Sequence, residues 1–184
     1  MADGIILRQS KRRIYALQTG RNVNMCDGEG YSIEEAHKLF AAEYNGGVWE
    51  LLEKDDRTEE ESAKMLHMAH ASCAHWLKAG TEVNHQRGEW MISRVNTVLG
   101  YPEAALRHAK SCMKLTEQHA EEMDDFDRAF ALEAMARAFA LAGERETALE
   151  YFGKAEEAGK AITDTENREI FEGDLNGGNW FGIH

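Results

Sequence analysis

The chain has 184 residues, 43% apolar and 29% charged, with a single proline, three cysteines and a formal net charge of −12. That length buries a sizeable core without disulfide or metal staples. The acidic balance excludes nucleic acid as a general partner, because it repels a phosphate backbone. No apolar run approaches the roughly 20 residues of a membrane span, and Gly4–Leu7 is too short for a signal-peptide core. No membrane partner is therefore expected. Cys26, Cys73 and Cys112 are widely spaced and form no Cys-x-x-Cys pair, which suits reduced thiols in a cytoplasmic protein.

Residues 1–31 lack helical periodicity, and within them 1–21 hold Arg8, Lys11, Arg12, Arg13 and Arg21 against Asp3 alone. They read as a basic, irregular arm. Ser32 with Glu35 forms a capping-box pattern, in which the serine oxygen caps a helix start and the glutamate bonds back. Ile33, Ala36, Leu39, Phe40 and Tyr44 then recur at helical spacing. Gly46 and Gly47 are expected to interrupt this helix, since each forfeits about 1 kcal/mol relative to alanine. Thr58 with Glu61 is a second capping box, opening a helix to about Ala79. Its expected inner stripe is Ser62, Leu66, Ala69, His70, Cys73, Trp76 and Leu77, with Gly80 as the stop.

A third helix is expected over Glu82–Leu99, ended by Gly100, and a fourth from Pro102 to about Glu121, proline being harmless in a first turn. An alanine-rich fifth helix spans about Asp124–Ala142. Gly143 ends it, and a sixth runs from near Arg145 to 159–162. A short seventh is expected over Thr163–Phe171. The remainder, 173–184, carries Trp180 and Phe181 among glycines and shows no period. The fold class is all-α: six main helices as three antiparallel hairpins, with a short C-terminal helix closing a helical domain over 32–172.

Laying Gly100 over Gly143 aligns two blocks 43 residues apart. Leu99, Gly100, Ala105, Leu106 and Cys112 face Ala142, Gly143, Ala148, Leu149 and Ala155. Small residues at Ala105/Ala148 and Cys112/Ala155 let helices approach closely, as stacked hairpins require. On these residues, together with Leu132, Ala136, Phe139 and Phe152, the chain resembles the tetratricopeptide-repeat (TPR) superfamily. Asn96 and Ala109 depart from its pattern, and the period exceeds the family's usual 34 residues. The resemblance implies an atypical, long-period, right-handed helical solenoid. A narrower likeness, through Ala69–Ser72, His75, Trp76, Arg87–Trp90, Ile92–Val95, Leu99 and Gly100, is to uncharacterised bacterial TPR-like proteins.

In that superfamily the first helix of each hairpin lines a concave groove. The resemblance therefore implies that Arg87, Trp90, Arg94 and Val98, and in the next unit Phe130, Glu133, Arg137 and Leu141, face it. Arg94 and Arg137 then hold the same repeat position. Spacing alone puts Arg87, Trp90 and Arg94 on one helix face. A groove with Arg87, Trp90, Arg94, Phe130 and Arg137 suits a protein or peptide partner, with an acidic or carboxylate ligand held by guanidinium forks. The competing reading is that these arginines pair internally with carboxylates or helix-end carbonyls. The tail through Trp180 and Phe181 either folds back over an apolar patch or enters a neighbour.

Eight histidines raise a different reading, a helical metal-binding protein or enzyme. His67 and His70 share a helix face, and His37 lies in a Glu-x-x-His spacing, although no second copy of that motif accompanies it. A third reading is a homodimerisation module whose groove is filled by a second copy. Nucleophile elbows, phosphate-binding glycine loops and Cys-His signatures are absent. The leading expectation is therefore a non-enzymatic binding scaffold with no metal or cofactor.

Overall fold

The computed structural model describes residues 31–183; the basic arm, Cys26 and His184 lie outside them. Among the described residues there are seven α-helices: α1 Ile33–Leu52, α2 Glu59–Ala79, α3 Glu82–Leu99, α4 Pro102–Gln118, α5 Asp125–Leu141, α6 Arg145–Ala161 and α7 Thr165–Asn176. They form two compact units that divide between Asn84 and His85. No described helix is long and apolar enough to cross a membrane.

The first unit is built on α1 packed against α2. Both capping boxes form: Ser32 Oγ accepts from the Glu35 amide and Thr58 Oγ1 from the Glu61 amide, while each glutamate carboxylate takes the cap amide in return. Two expectations are corrected here. Gly46 and Gly47 do not break α1, which runs straight through them. A Cβ on Gly47 would fall on the end of the Met68 side chain, so the missing side chain is where α2 seats against α1. Packing on Ala41, Ala42, Val48 and Trp49 outweighs the low helix propensity of two glycines. The buried stripe of α2 is also rotated from the expected one. It comprises Met65, Ala69, Ser72, Cys73 and Trp76, with Ser72 Oγ donating to the Ala41 carbonyl at 2.8 Å, whereas His70 and Leu77 are exposed.

One contact in this unit responds to pH. His37 Nδ1 and His75 Nδ1 lie 2.8 Å apart, with the Phe40 and Tyr44 rings against His75. A hydrogen bond between them needs one nitrogen to donate and the other to accept. Partial burial, and secondarily the charge of His37, lowers the His75 pKa from 6.5. A lowered folded-state value means the unfolded chain binds the proton more readily. The contact's full contribution to stability is thus present well above pH 6.5 and is lost as pH falls through and below it. Urea melts should show the midpoint declining on acidification, and His75→Phe should flatten that decline. An unchanged pH profile in the variant would exclude the pair as its source.

In the second unit α5 packs against α4, α6 and α7. It is buried on nearly every side, from Phe126 to Ala140, and six alanines over 129–140 allow neighbours to approach on all of them. The two turn glycines match closely. Gly100 has φ +78° and Gly143 φ +79°, the left-handed region that glycine adopts without strain. Around Gly100 the amides of Gly100 and Tyr101 donate to Thr97 and Asn96 at 3.2 and 2.9 Å; around Gly143 those of Gly143 and Glu144 donate to Ala140 and Phe139 at 3.1 and 3.0 Å. Each donor and each acceptor recurs 43 residues later. Ala105, Ala148, Cys112 and Ala155 are fully buried.

The last helix is longer than its sequence pattern suggests. Asp164 caps it, accepting from the Asn167 amide at 2.8 Å. It continues past Phe171 through Gly173 to Asn176, because Leu175 as well as Ile170 and Phe171 is buried. Gly159 on α6 makes room for this helix: a Cβ there would fall on the Phe171 ring.

Candidate functional site

Arg87, Trp90 and Arg94 share one face of α3, and Asp127, Phe130, Glu133 and Arg137 share one face of α5, each set following helical spacing. The structure brings all five sequence-predicted residues together, through contacts between α3 and α5. Trp90 and Phe130 form an aromatic floor: their rings meet edge-on at 5.2 Å, Phe126 packs on Phe130 at 4.6 Å, and Phe171 of α7 closes it at 5.0 Å. Both are buried and therefore support the site without being open to a ligand.

Every one of those arginines has an internal carboxylate. Arg87 grips Asp127 with a two-pronged fork, Nε to Oδ1 at 2.7 Å and Nη2 to Oδ2 at 3.1 Å, the strongest geometry for this pair. Asp127 also receives the Asp124 amide at 3.2 Å, closing the α5 capping box, and its carbonyl accepts from Gln86 at 3.1 Å. Arg94 donates to Glu133 at 3.2 Å and to Asp174 of α7 at 3.4 Å. Arg137 donates through Nε to the same Glu133 oxygen. One carboxylate oxygen thus serves the two arginines that occupy equivalent repeat positions. The other, Glu133 Oε2, is buried and finds no hydrogen-bond partner among the described residues.

Three guanidinium groups and the carboxylates of Asp127, Glu133 and Asp174 make this cluster neutral, as its burial demands: Asp127, Glu133 and Arg137 are 1–2% exposed. Isolated charges could not remain ionised there. Burial pulls the Arg137 pKa down, with Arg94 adding to the effect, and Glu133 holds it up. The cluster is built to grip carboxylates and carbonyls. Beside it, burial and then Asp127 and Glu89 push the Cys112 thiol well above its ordinary range, so it is no ready nucleophile.

Beyond Glu133, Arg137 spends its remaining donors on polypeptide. Nη2 reaches the carbonyls of Asp174 and Gly177 at 2.5 and 3.0 Å, and Nη1 that of Asn179 at 3.3 Å. The Trp180 ring stacks on the guanidinium, 3.9 Å from its carbon to the ring centre. Phe152 of α6 meets Trp180 edge-on at 4.8 Å, and the indole Nε1 donates to the Leu175 carbonyl at 2.9 Å. Arg145 at the start of α6 donates to the carbonyls of Gly182 and Ile183. The chain's own segment 177–183 therefore lies across the arginine face, with Trp180 and Ile183 buried.

Sequence reasoning singled out the arginines and the tail, but not Asp127, Asp174, Phe152 or Arg145 as their partners. A signal for Asp127 was present: a charge on an alanine-rich helix with no polar face must be compensated. The histidines do not assemble as the His37, His67 and His70 set. His37 faces His75, His67 and His70 are exposed, and no group of three His, Cys, Asp or Glu residues among the described ones could hold a metal ion. Comparison with family models, curated proteins and solved structures finds no match to this chain.

Proposed function

We propose that this chain is a TPR-like helical-repeat module that holds a peptide of a partner protein on the α3/α5 face. The observation that carries the reading is that this face already grips a stretch of polypeptide, through side-chain bonds to main-chain carbonyls and a slot for one aromatic ring. Bonds to carbonyls suit any peptide, and the ring slot adds selectivity. The repeat supports it too: two turns of matching geometry 43 residues apart give Arg94 and Arg137 equivalent stations, from which they share Glu133. Cys73 and Cys112, both buried thiols, fit the cytoplasmic location that forms part of the reading.

The test uses the full chain carrying Trp180→Ala, which vacates the ring slot, and a synthetic peptide with the sequence of residues 176–184. Amide spectra of the labelled protein are expected to show saturable one-to-one binding, with shifts concentrated in α3, α5 and the first turns of α6. Absence of saturable shifts would sink the reading.

A further inference from the structure

The tail is seated by contacts that describe a ligand. Its chain reverses at Gly177 and Gly178; Gly178 has φ +73°, and a Cβ there would stand 3.1 Å from Arg137 Nη1. Glycine meets both conditions without strain, and the backbone comes close to the guanidinium. Two residues later the indole occupies a slot with three different walls: the Arg137 plane, the Phe152 edge and the Leu175 carbonyl that takes its N–H. An aromatic ring with a polar edge fills that slot completely, whereas an aliphatic side chain would leave both the cation and the carbonyl unserved. The segment ends on two carbonyls held by Arg145, an exposed residue.

The seating also carries strain. Phe181, directly after the buried tryptophan, has φ +52°, a left-handed conformation unfavourable for a bulky side chain. It is held there by its amide donating to Asn179 Oδ1 at 2.8 Å. A terminal segment joined through a glycine pair, docked by one ring, the Ile183 side chain and a few carbonyls and strained at its centre, opens locally at less cost than the helices beneath it.

We propose that residues 177–183 are an internal copy of the ligand and gate the site: the partner is a glycine-rich peptide segment bearing a tryptophan, admitted when the tail lifts. This rests on the peptide-binding reading above. Covalent attachment keeps the tail at an effective concentration on the order of millimolar, so an outside peptide making the same contacts binds the closed chain more weakly by the closure constant.

Fluorescence anisotropy of a labelled peptide of sequence 176–184 tests this on three full-length chains: the native one, Trp180→Ala, and Asn179→Ala, which removes the tail's own support of Phe181 and leaves every residue of the site in place. Binding to Trp180→Ala is expected at least ~10-fold tighter than to the native chain, with Asn179→Ala between them. A peptide with its tryptophan replaced by alanine should bind Trp180→Ala at least ~10-fold more weakly. Equal binding to native and Trp180→Ala chains overturns the gate and leaves the peptide site standing. Equal binding of the two peptides overturns the assigned ligand chemistry. No binding to any chain overturns the peptide site and the gate with it. If circular dichroism shows Trp180→Ala unfolded, Asn179→Ala decides: tighter binding than the native chain supports the gate, and equal binding overturns it.

Discussion

Replacing Arg137 with leucine is expected to lower the unfolding free energy by about 3–5 kcal/mol, the cost of removing one partner from a buried ion pair. Glu133, 1% exposed, would keep a charge shared only with Arg94, and its second oxygen already has no hydrogen-bond partner among the described residues. The carbonyls of Gly177 and Asn179 would lose the Arg137 donor at the same time, and that of Asp174 would keep the Gly177 amide. Because a domain's total stability is about 5–15 kcal/mol, urea denaturation should show a large shift in midpoint. Adding Glu133→Leu to Arg137→Leu removes the stranded charge and should recover a substantial part of the loss. A single-variant loss below about 1 kcal/mol, within the range of an exposed pair, would mean that solvent reaches the cluster and that Arg137 does not anchor the tail. Charge reversal at Arg94 and Arg137 together is consequently a folding experiment, not a clean test of partner capture, because it sets new carboxylates beside Glu133 and Asp174.

Phe171→Ala should have a comparable effect, about 3–5 kcal/mol for truncating a buried phenylalanine. Phe171 is fully buried, stands perpendicular to Phe130 at 5.0 Å, and fills the space left by Gly159. With glycine on one side and a ring edge on the other, the neighbours have little side chain with which to collapse into the cavity, which places the cost toward the upper end. The effect should reach the site, since α7 carries Asp174 to Arg94 and leads directly into the tail. Hydrogen exchange in 177–183 is expected to accelerate by more than exchange in α4, which packs on α5. Uniform acceleration across the second unit would show that the helix and tail open only with the whole unit.

The histidine contact is legible in a different way. His37 and His75 lie in separate helices, and helical spacing groups His67 with His70 because that rule sees one helix at a time. Their meeting depends on how α1 lies on α2, which in turn depends on Gly47 and Met68. The continuity of α1 through Gly46 and Gly47 was obscured for the same reason. Intrinsic propensity counts the glycines as breaks, whereas interhelical packing uses one of them as a seat.

Capping boxes at Ser32 and Thr58, the proline at position 102 and the left-handed glycines at 100 and 143 are local devices. Each acts within about one helical turn, so residue identity marked where most of the helices start and stop, whereas the run of α1 through Gly46 and Gly47 and the extension of α7 to Asn176 depended on packing. The 43-residue offset was likewise readable, because equivalent turns require equivalent residues. What the arginines do with their charge was decided only in three dimensions. Helical spacing puts Arg87, Arg94 and Arg137 on faces, but a guanidinium's partner is whichever carboxylate or carbonyl the fold brings within about 3 Å. Here those partners are on α5, on α7 and in a tail of 177–183 that has no periodicity of its own. Long-range pairing of charges depends on the path of the whole chain, and no local pattern encodes it.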